Sequence, residues 1–367
     1  MFLPIPGCVF FHTDAEPTGG GGASSNPNAT TSSASGAGAS GGGGGGSGGA
    51  ASVQSQDLEA KGYALSVAGS HGAILTGEPG AREVWLFSDQ SEAVPVPMNL
   101  GDVAENLAVL SDGAALIPIA TPPNMPIWRC LADGCDPFGM QDAPDGYAAL
   151  AFAEPGLLAG LRRDPATLEL LTLSDGTMVE DVSGTAPLGA SLAARRCPEG
   201  DFVVAWTVDD SSGDSELFRS VSESQLGSLS SPVVVPFQQK LGPLAVAPDC
   251  SIVGAHDLGG TGEYFRLSRE SDTPTTLAFE AQTGRAYVAF SAEYMFVTVG
   301  DSNVVWVLAC DLSAESSIDC VEGPFTCAHV GGLAAFDPAE VVVACDETLL
   351  RWKVVEPGET TATRSAN

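Results

Sequence analysis

From about residue 57 onward, apolar residues come in runs of four to seven, each broken by Gly, Pro, Asp or Ser. Runs of that length between turn formers predict short strands, and no sustained helical period interrupts them. The runs also repeat. A small apolar strand leads into a tight turn and then into a second strand rich in Val, Ile and Leu. Leu244-Ala-Val-Ala-Pro-Asp-Cys-Ser-Ile-Val-Gly-Ala255 is the plainest copy, and Leu107–Ile117 and Leu192–Ala205 are others. The turn supplies one marker per unit, at His71, Asp112, Pro155, Glu199, Asp249, Glu293 and Ala339, spaced by 41 to 50 residues. A large apolar residue in each third strand supplies another, at Trp85, Trp128, Leu170, Phe218, Phe265, Trp306 and Leu350, spaced by 41 to 48. Two markers that keep step along the chain predict seven equivalent units.

A period in the forties with four short strands per unit is what a propeller blade requires. Residues 57–355 are therefore predicted to form an all-β, seven-bladed β-propeller. Their turn pattern, apolar-small-x-Pro/Ser-Asp/Glu-Gly followed by apolar residues, resembles that of WD-repeat and YVTN-type propellers. The Trp-Asp dipeptide and Gly-His signature of WD repeats are missing. A parallel β-helix is the structural rival, but its turns are shorter. Trp85, Trp128, Phe218, Phe265 and Trp306 are expected to fill the wedges between neighbouring sheets. Closing the ring needs one further strand, and both Val53–Leu58 and Glu359–Arg364 are candidates.

The start of the chain has a different character. Residues 12–56 are dominated by Gly, Ser, Ala, Thr and Asn, including the run Gly41–Gly46. Such a stretch has nothing to bury and predicts a disordered linker. Residues 1–11 contain Ile-Pro-Gly-Cys ending at Cys8, which resembles the cleavage site of a bacterial lipoprotein and makes 1–11 a truncated signal remnant. A Gly/Ser arm behind such a cysteine resembles myxobacterial surface lipoproteins. The resemblance implies lipidation at Cys8, a bacterial cell-envelope or extracellular location, and a domain held off a membrane by a spacer. Residues 356–367 are left as a tail.

Charge narrows the partners. The chain carries 46 acidic and 15 basic residues, a formal net charge of −31. A field of that sign repels phosphate backbones and anionic lipid, which argues against nucleic acid and leaves Cys8 as the sole membrane attachment. No run of 18 apolar residues occurs, so a membrane-spanning helix is not expected. A monomer is expected.

The nine cysteines are Cys8 and eight within the repeats. Eight cysteines allow 105 pairings, but alternating strand direction sorts them by face. Turns after first and third strands share one face; turns after second strands and connections between units share the other. Cys130, Cys135, Cys197, Cys250, Cys310 and Cys320 then fall on one face, and Cys327 and Cys345 on the opposite one. The expected bridges are 130–135, 197–250, 310–320 and 327–345, which suits an oxidising compartment. A metal site on Cys310, Cys320, Cys327 and Cys345 is disfavoured because zinc sites use closer cysteine pairs.

Catalytic signals are thin. The histidines are His12, His71, His256 and His329, and no Gly-x-Ser-x-Gly elbow accompanies them. The Asp-box of sialidase-like propellers and the Gly-Lys-x-x-Trp repeat of quinone-dependent propellers are absent. His256-Asp257 ends a second strand on the face where propellers bind ligands. Asp209, Asp210, Asp214 and Glu216 form an acidic loop on that face, with hard oxygens suited to calcium. Glu263 and the pair Arg162-Arg163 lie there too. These nine residues are the candidate ligand-binding face. No catalytic residue, resident metal or cofactor is assigned beyond that calcium option. The function expected is a non-enzymatic binding module for protein or glycan ligands. The alternatives are a polysaccharide hydrolase or lyase using clustered carboxylates, and a structural envelope protein.

Overall fold

A computed structural model describes residues 52–354 apart from 79, 98–105, 120–126, 139–146, 154–156, 163–166, 172–175, 182–190, 210–213, 223–229, 238–239, 258–261, 282–285, 301–303 and 313–319. The folded part consists of seven antiparallel four-stranded sheets. In six of them the four strands follow one another in the chain. Blade 1, for example, is Gly62–Ala68, His71–Thr76, Glu83–Ser88 and Ser91–Pro95. The turn markers fall between first and second strands in blades 2 to 7, and His71 opens the second strand of blade 1. First strands of successive blades touch all the way round, with blade 7 meeting blade 1. The ring is a seven-bladed β-propeller, and the antiparallel pairing excludes the β-helix.

Blade 7 is assembled from both ends of the chain. Its first three strands are Val330–Phe336, Glu340–Cys345 and Thr348–Lys353, and its fourth is Ser52–Asp57, paired from Ser52↔Lys353 to Asp57↔Thr348. The N-terminal candidate therefore closes the ring. The described residues begin at Ser52, inside the stretch 12–56 assigned to linker, whose remaining residues lie outside them. So do Cys8, Glu359–Arg364 and the tail. Ser52–Asp57 alternates polar and apolar only weakly; it is held in register by its partner strand, which composition does not reveal.

The core is divided among the wedges between blades. Small side chains on first strands let seven of them converge on the axis. At the junction of blades 7 and 1, a methyl on Gly332 would lie 2.7 Å from Leu65 Cβ, and one on Gly331 would meet the Gly62 carbonyl. Trp85, Phe218 and Phe265 are buried between blades as expected. Trp128 packs there too but is only half-buried. Trp306 is also half-buried and belongs to none of the buried clusters. Trp206 and Trp352 carry that load instead, both fully buried, with Trp352 edge-on to Phe296 and Phe325.

All four expected disulfides are present, with Cα separations of 4.0 Å for 130–135, 5.8 Å for 197–250, 4.0 Å for 310–320 and 5.4 Å for 327–345. The 197–250 bridge joins blades 4 and 5, and 327–345 ties the second strand of blade 7 to Cys327, which pairs with Val305 of blade 6.

Candidate functional site

Each blade presents two kinds of end. On one face lie the first-to-second and third-to-fourth turns, and the chain also enters the fold there, since Ser52 pairs with the last residue of a third strand. On the other lie the second-to-third turns and the connections between blades. The two faces use charge in opposite ways.

On the first face, arginines are consumed as clasps. In four third strands an arginine directly follows the marker residue: Arg129, Arg219, Arg266 and Arg351. Arg129 and Arg266 reach the acids of their own first turns, Asp112 at 2.6 Å and Asp249. Arg351 binds Glu340 at 2.6 Å and also donates to the Ser88 and Asp89 carbonyls of blade 1, each at 2.8 Å. Arg219 of blade 4 (Leu192–Arg196, Phe202–Asp209, Ser215–Ser222, Val233–Pro236) reaches across likewise, to the Ser268 and Ser271 carbonyls and Asp272 of blade 5. Arg269 returns from blade 5 to Glu199 and Asp201 of blade 4. Cys197, Glu199 and Asp201 lie close enough to suggest a metal cluster. That thiol is spent in the 197–250 bridge and both carboxylates face Arg269, so the group is structural. This clasp set was missed in the sequence. Its signal was available, as a basic residue after the large apolar one in four of seven third strands.

On the opposite face the proposed ligand residues are only partly visible. Asp210 and Arg163 lie outside the described residues, as do the side chains of His256 and Asp257. Backbone register nevertheless sets His256 opposite Glu263 and Asp257 opposite Gly262 in blade 5, and Val208 opposite Glu216 and Asp209 opposite Ser215 in blade 4. Ser215 links the two blades: its hydroxyl donates to Asp209 Oδ1 at 3.4 Å and accepts from the Leu241 amide at 3.0 Å, and Leu241 pairs with His256. Asp209, Asp214, Glu216 and Glu263 are all half-buried at this end of neighbouring sheets.

Arg162 does not belong with them as a free anion ligand. Its guanidinium is 2.8 Å from Glu169, which also accepts the Tyr147 hydroxyl, and it lies 5.8 Å over the Tyr147 ring. Glu169 stands opposite Gly160 on the middle strands of blade 3, just as Phe265 stands opposite Gly254 in blade 5. It takes the wedge position filled elsewhere by a large apolar residue. Its neighbour Leu170, the sequence marker, faces the other way, into the cluster shared with blade 4. Burial and the Glu169 carboxylate together push the Tyr147 phenol well above its ordinary value, so it acts as a hydrogen-bond donor and not as a base.

No family model matches the chain, and no curated protein matches it. Solved structures do. A catalytically inactive virginiamycin B lyase from Staphylococcus aureus with quinupristin aligns at a TM-score of 0.59 and 12% identity, covering 83% of this chain and 100% of that one. YCF48 bound to D1 peptide aligns at 0.52 and 12% identity, over 83% and 97%. The WD40 β-propeller domain of Doa1 aligns at 0.52 and 12% identity, over 82% and 95%. At this identity the likeness is one of fold: a WD40/YVTN-like seven-bladed propeller.

Proposed function

We propose that the chain is an exported, non-enzymatic binding module, carried by its N-terminal arm, that uses the loop face of blades 4 and 5 to hold a protein or glycan ligand. The observation that carries this reading is the division of charge between faces. Seven described acids, Asp112, Glu169, Glu199, Asp201, Asp249, Asp272 and Glu340, are each bound to an arginine. Acids locked in this way are structural and are poor candidates for general acid–base work. Asp209, Glu216 and Glu263 stand at one end of two adjacent blades, where the Ser215 hydroxyl donates to Asp209 and accepts from the Leu241 amide. An acidic patch there favours a ligand with basic or hydroxyl groups. Calcium bridging between that patch and a glycan belongs to the same proposal. Four disulfides support an oxidising location, and the lipid at Cys8 is the anchor proposed for it.

The test is a binding screen of the purified domain against cell-wall and extracellular glycans and basic peptides, with calcium and with chelator, scoring retention and cleavage together. Retention without cleavage, weakened at least tenfold by replacing Asp209 and Glu216 with the corresponding amides, is the expected result. Cleavage of a glycan would establish the polysaccharide-lyase or hydrolase alternative.

A further inference from the structure

The outer strand of each blade presents a free edge at the rim, and a free edge is a template for another extended chain. Charged residues blunt such edges, and six of the seven outer strands carry a carboxylate: Asp57 in blade 7, Glu92 in blade 1, Asp136 in blade 2, Glu180 in blade 3, Glu280 in blade 5 and Glu322 in blade 6. Blade 4 is the exception. Its outer strand, Val233–Pro236, holds three β-branched residues and no charge. The Phe237 amide bonds the Ser215 carbonyl at 2.9 Å, so the rungs to the third strand fall at Val233 and Val235, and Val234 turns its N–H and C=O outward. Neither group has a partner among the described residues. Pro232 and Pro236, two residues to either side, offer the edge no N–H, which confines it to a short partner and forbids a long stack.

The register shows what a chain laid along that edge would meet. Trp206, Phe218 and Val234 stand directly opposite one another on the second, third and fourth strands, and the rings of Trp206 and Phe218 stack at 5.4 Å between centroids. Those two are buried, whereas Val234 is 43% exposed, so the apolar row stops one residue short of cover. Val208, Glu216 and Pro236 form the next row on the same side of the sheet, at its loop-face end. A residue added opposite Val234 continues the apolar row. One added opposite Pro236 stands about 10 Å from the Glu216 backbone, two strand spacings away, a span that an extended arginine and a glutamate cover between them. In a chain of net charge −31, that position selects a basic side chain and self-repulsion opposes a second copy as the occupant.

We propose that the outer edge of blade 4 takes a short extended segment of a partner protein by strand addition, with an apolar residue opposite Val234 and a Lys or Arg opposite Pro236. Backbone hydrogen bonds to Val234 supply affinity, and the two side-chain positions supply selectivity. Run antiparallel to Val233–Pro236, the segment reads basic-x-apolar. This surface shares Glu216 with the patch proposed on the loop face and otherwise stands apart from it.

Calorimetric titration of the whole chain with the capped peptide Ser-Arg-Thr-Val-Thr-Ser tests it. The expected result is saturable binding that weakens roughly tenfold when the peptide's valine is N-methylated, since one backbone hydrogen bond is then lost. Val234→Lys should weaken it as much, while Val94→Lys, the same change on the outer strand of blade 1, leaves it unchanged. Exchanging the peptide's arginine for glutamate should also weaken binding, and Glu216→Gln should narrow that gap while the N-methyl effect stays. Absent binding would overturn the proposal. Binding lost with Glu216→Gln but indifferent to N-methylation and to Val234→Lys would overturn strand addition and leave the loop-face reading standing. A dimer in sedimentation that Val234→Lys dissociates would make a second copy the occupant, and would overturn it too.

Discussion

Two seams of the ring are built on one plan and closed by different means. Between blades 4 and 5, Arg219 leaves a third strand and grips the third-to-fourth turn of the next blade. Between blades 7 and 1, Arg351 does the same to the turn at Ser88–Ser91. The 4/5 seam adds the 197–250 disulfide and the returning Arg269. The 7/1 seam has no disulfide across it. It adds Gln56 of the closing strand, whose amide exchanges two hydrogen bonds of 2.6 Å with the Ala93 backbone. A side chain thus mimics one rung of a β-ladder between two outer strands. The difference teaches where the ring opens: beside this seam, within blade 7, where the borrowed strand Ser52–Asp57 pairs with Thr348–Lys353.

Removing that strand is the strongest way to break the comparison. A chain starting at 52 should keep the full thermal transition, whereas one starting at 58 should lose cooperative folding. The shorter form leaves the third strand of blade 7 as an open edge and strips the Gln56 rung from blade 1. An unchanged melting curve for the shorter form would mean that the arm is dispensable for closure.

Next in size is the disulfide. A bridge spanning 53 residues is worth about 4 kcal/mol on loop entropy, against about 2 for one spanning five. The Cys197→Ser/Cys250→Ser pair should therefore lower the denaturant midpoint about twice as far as Cys130→Ser/Cys135→Ser. Equal losses would show that the long bridge does not restrain its seam.

These pairings were legible because face parity depends only on counting strands, and the strand pattern was unambiguous. Ring closure was not legible, since two terminal segments of suitable length sit more than 300 residues apart and only packing chooses between them. Blade 3 misled for a local reason. Leu168, Leu170 and Leu171 put apolar residues on both faces of one strand, so alternation could not tell that Glu169 holds the wedge. The clasps were hard to read as a set because their partners differ: Arg129 and Arg266 close on acids of their own blades, whereas Arg219 and Arg351 also reach the next blade, a relation that no spacing within one repeat encodes. On the loop face, the Ser215 hydroxyl that links Asp209 to the start of blade 5 reads in the sequence as ordinary turn composition.

The arginine clasps come third. Arg351→Ala and Arg219→Ala each remove charge-assisted hydrogen bonds worth roughly 1.5–3 kcal/mol. Arg351→Ala should be the more destabilising in the oxidised protein, because the 197–250 bridge still holds the other seam. In the Cys197→Ser/Cys250→Ser background the Arg219→Ala loss should rise towards that of Arg351→Ala. Unfolding curves of the four variants supply the double-mutant cycle, and strict additivity would show that bridge and clasp act independently.

The smallest effect separates the acids beneath the clasps. Burial by itself would raise the Asp249 carboxyl, but hydrogen bonds from Ser251 and the neighbouring Arg266 outweigh it and hold the group below its ordinary 3.8. A carboxyl lowered on folding stabilises the protein above its unfolded value, and that contribution disappears as pH falls through the folded value. With side chains 43% and 56% exposed, solvent screening limits the pair to about 0.5–1 kcal/mol. Asp249→Asn should therefore cost that much at pH 7, and the cost should shrink as pH drops below 3.8 until wild type and variant converge. Glu340, beneath Arg351, is better shielded, with side chains 13% and 21% exposed across the pair. Glu340→Gln should cost more than Asp249→Asn at pH 7 and respond less to added salt. Parallel salt series on the two variants decide it: equal sensitivity would place both acids in the same solvent environment and remove the distinction between the seams at this level.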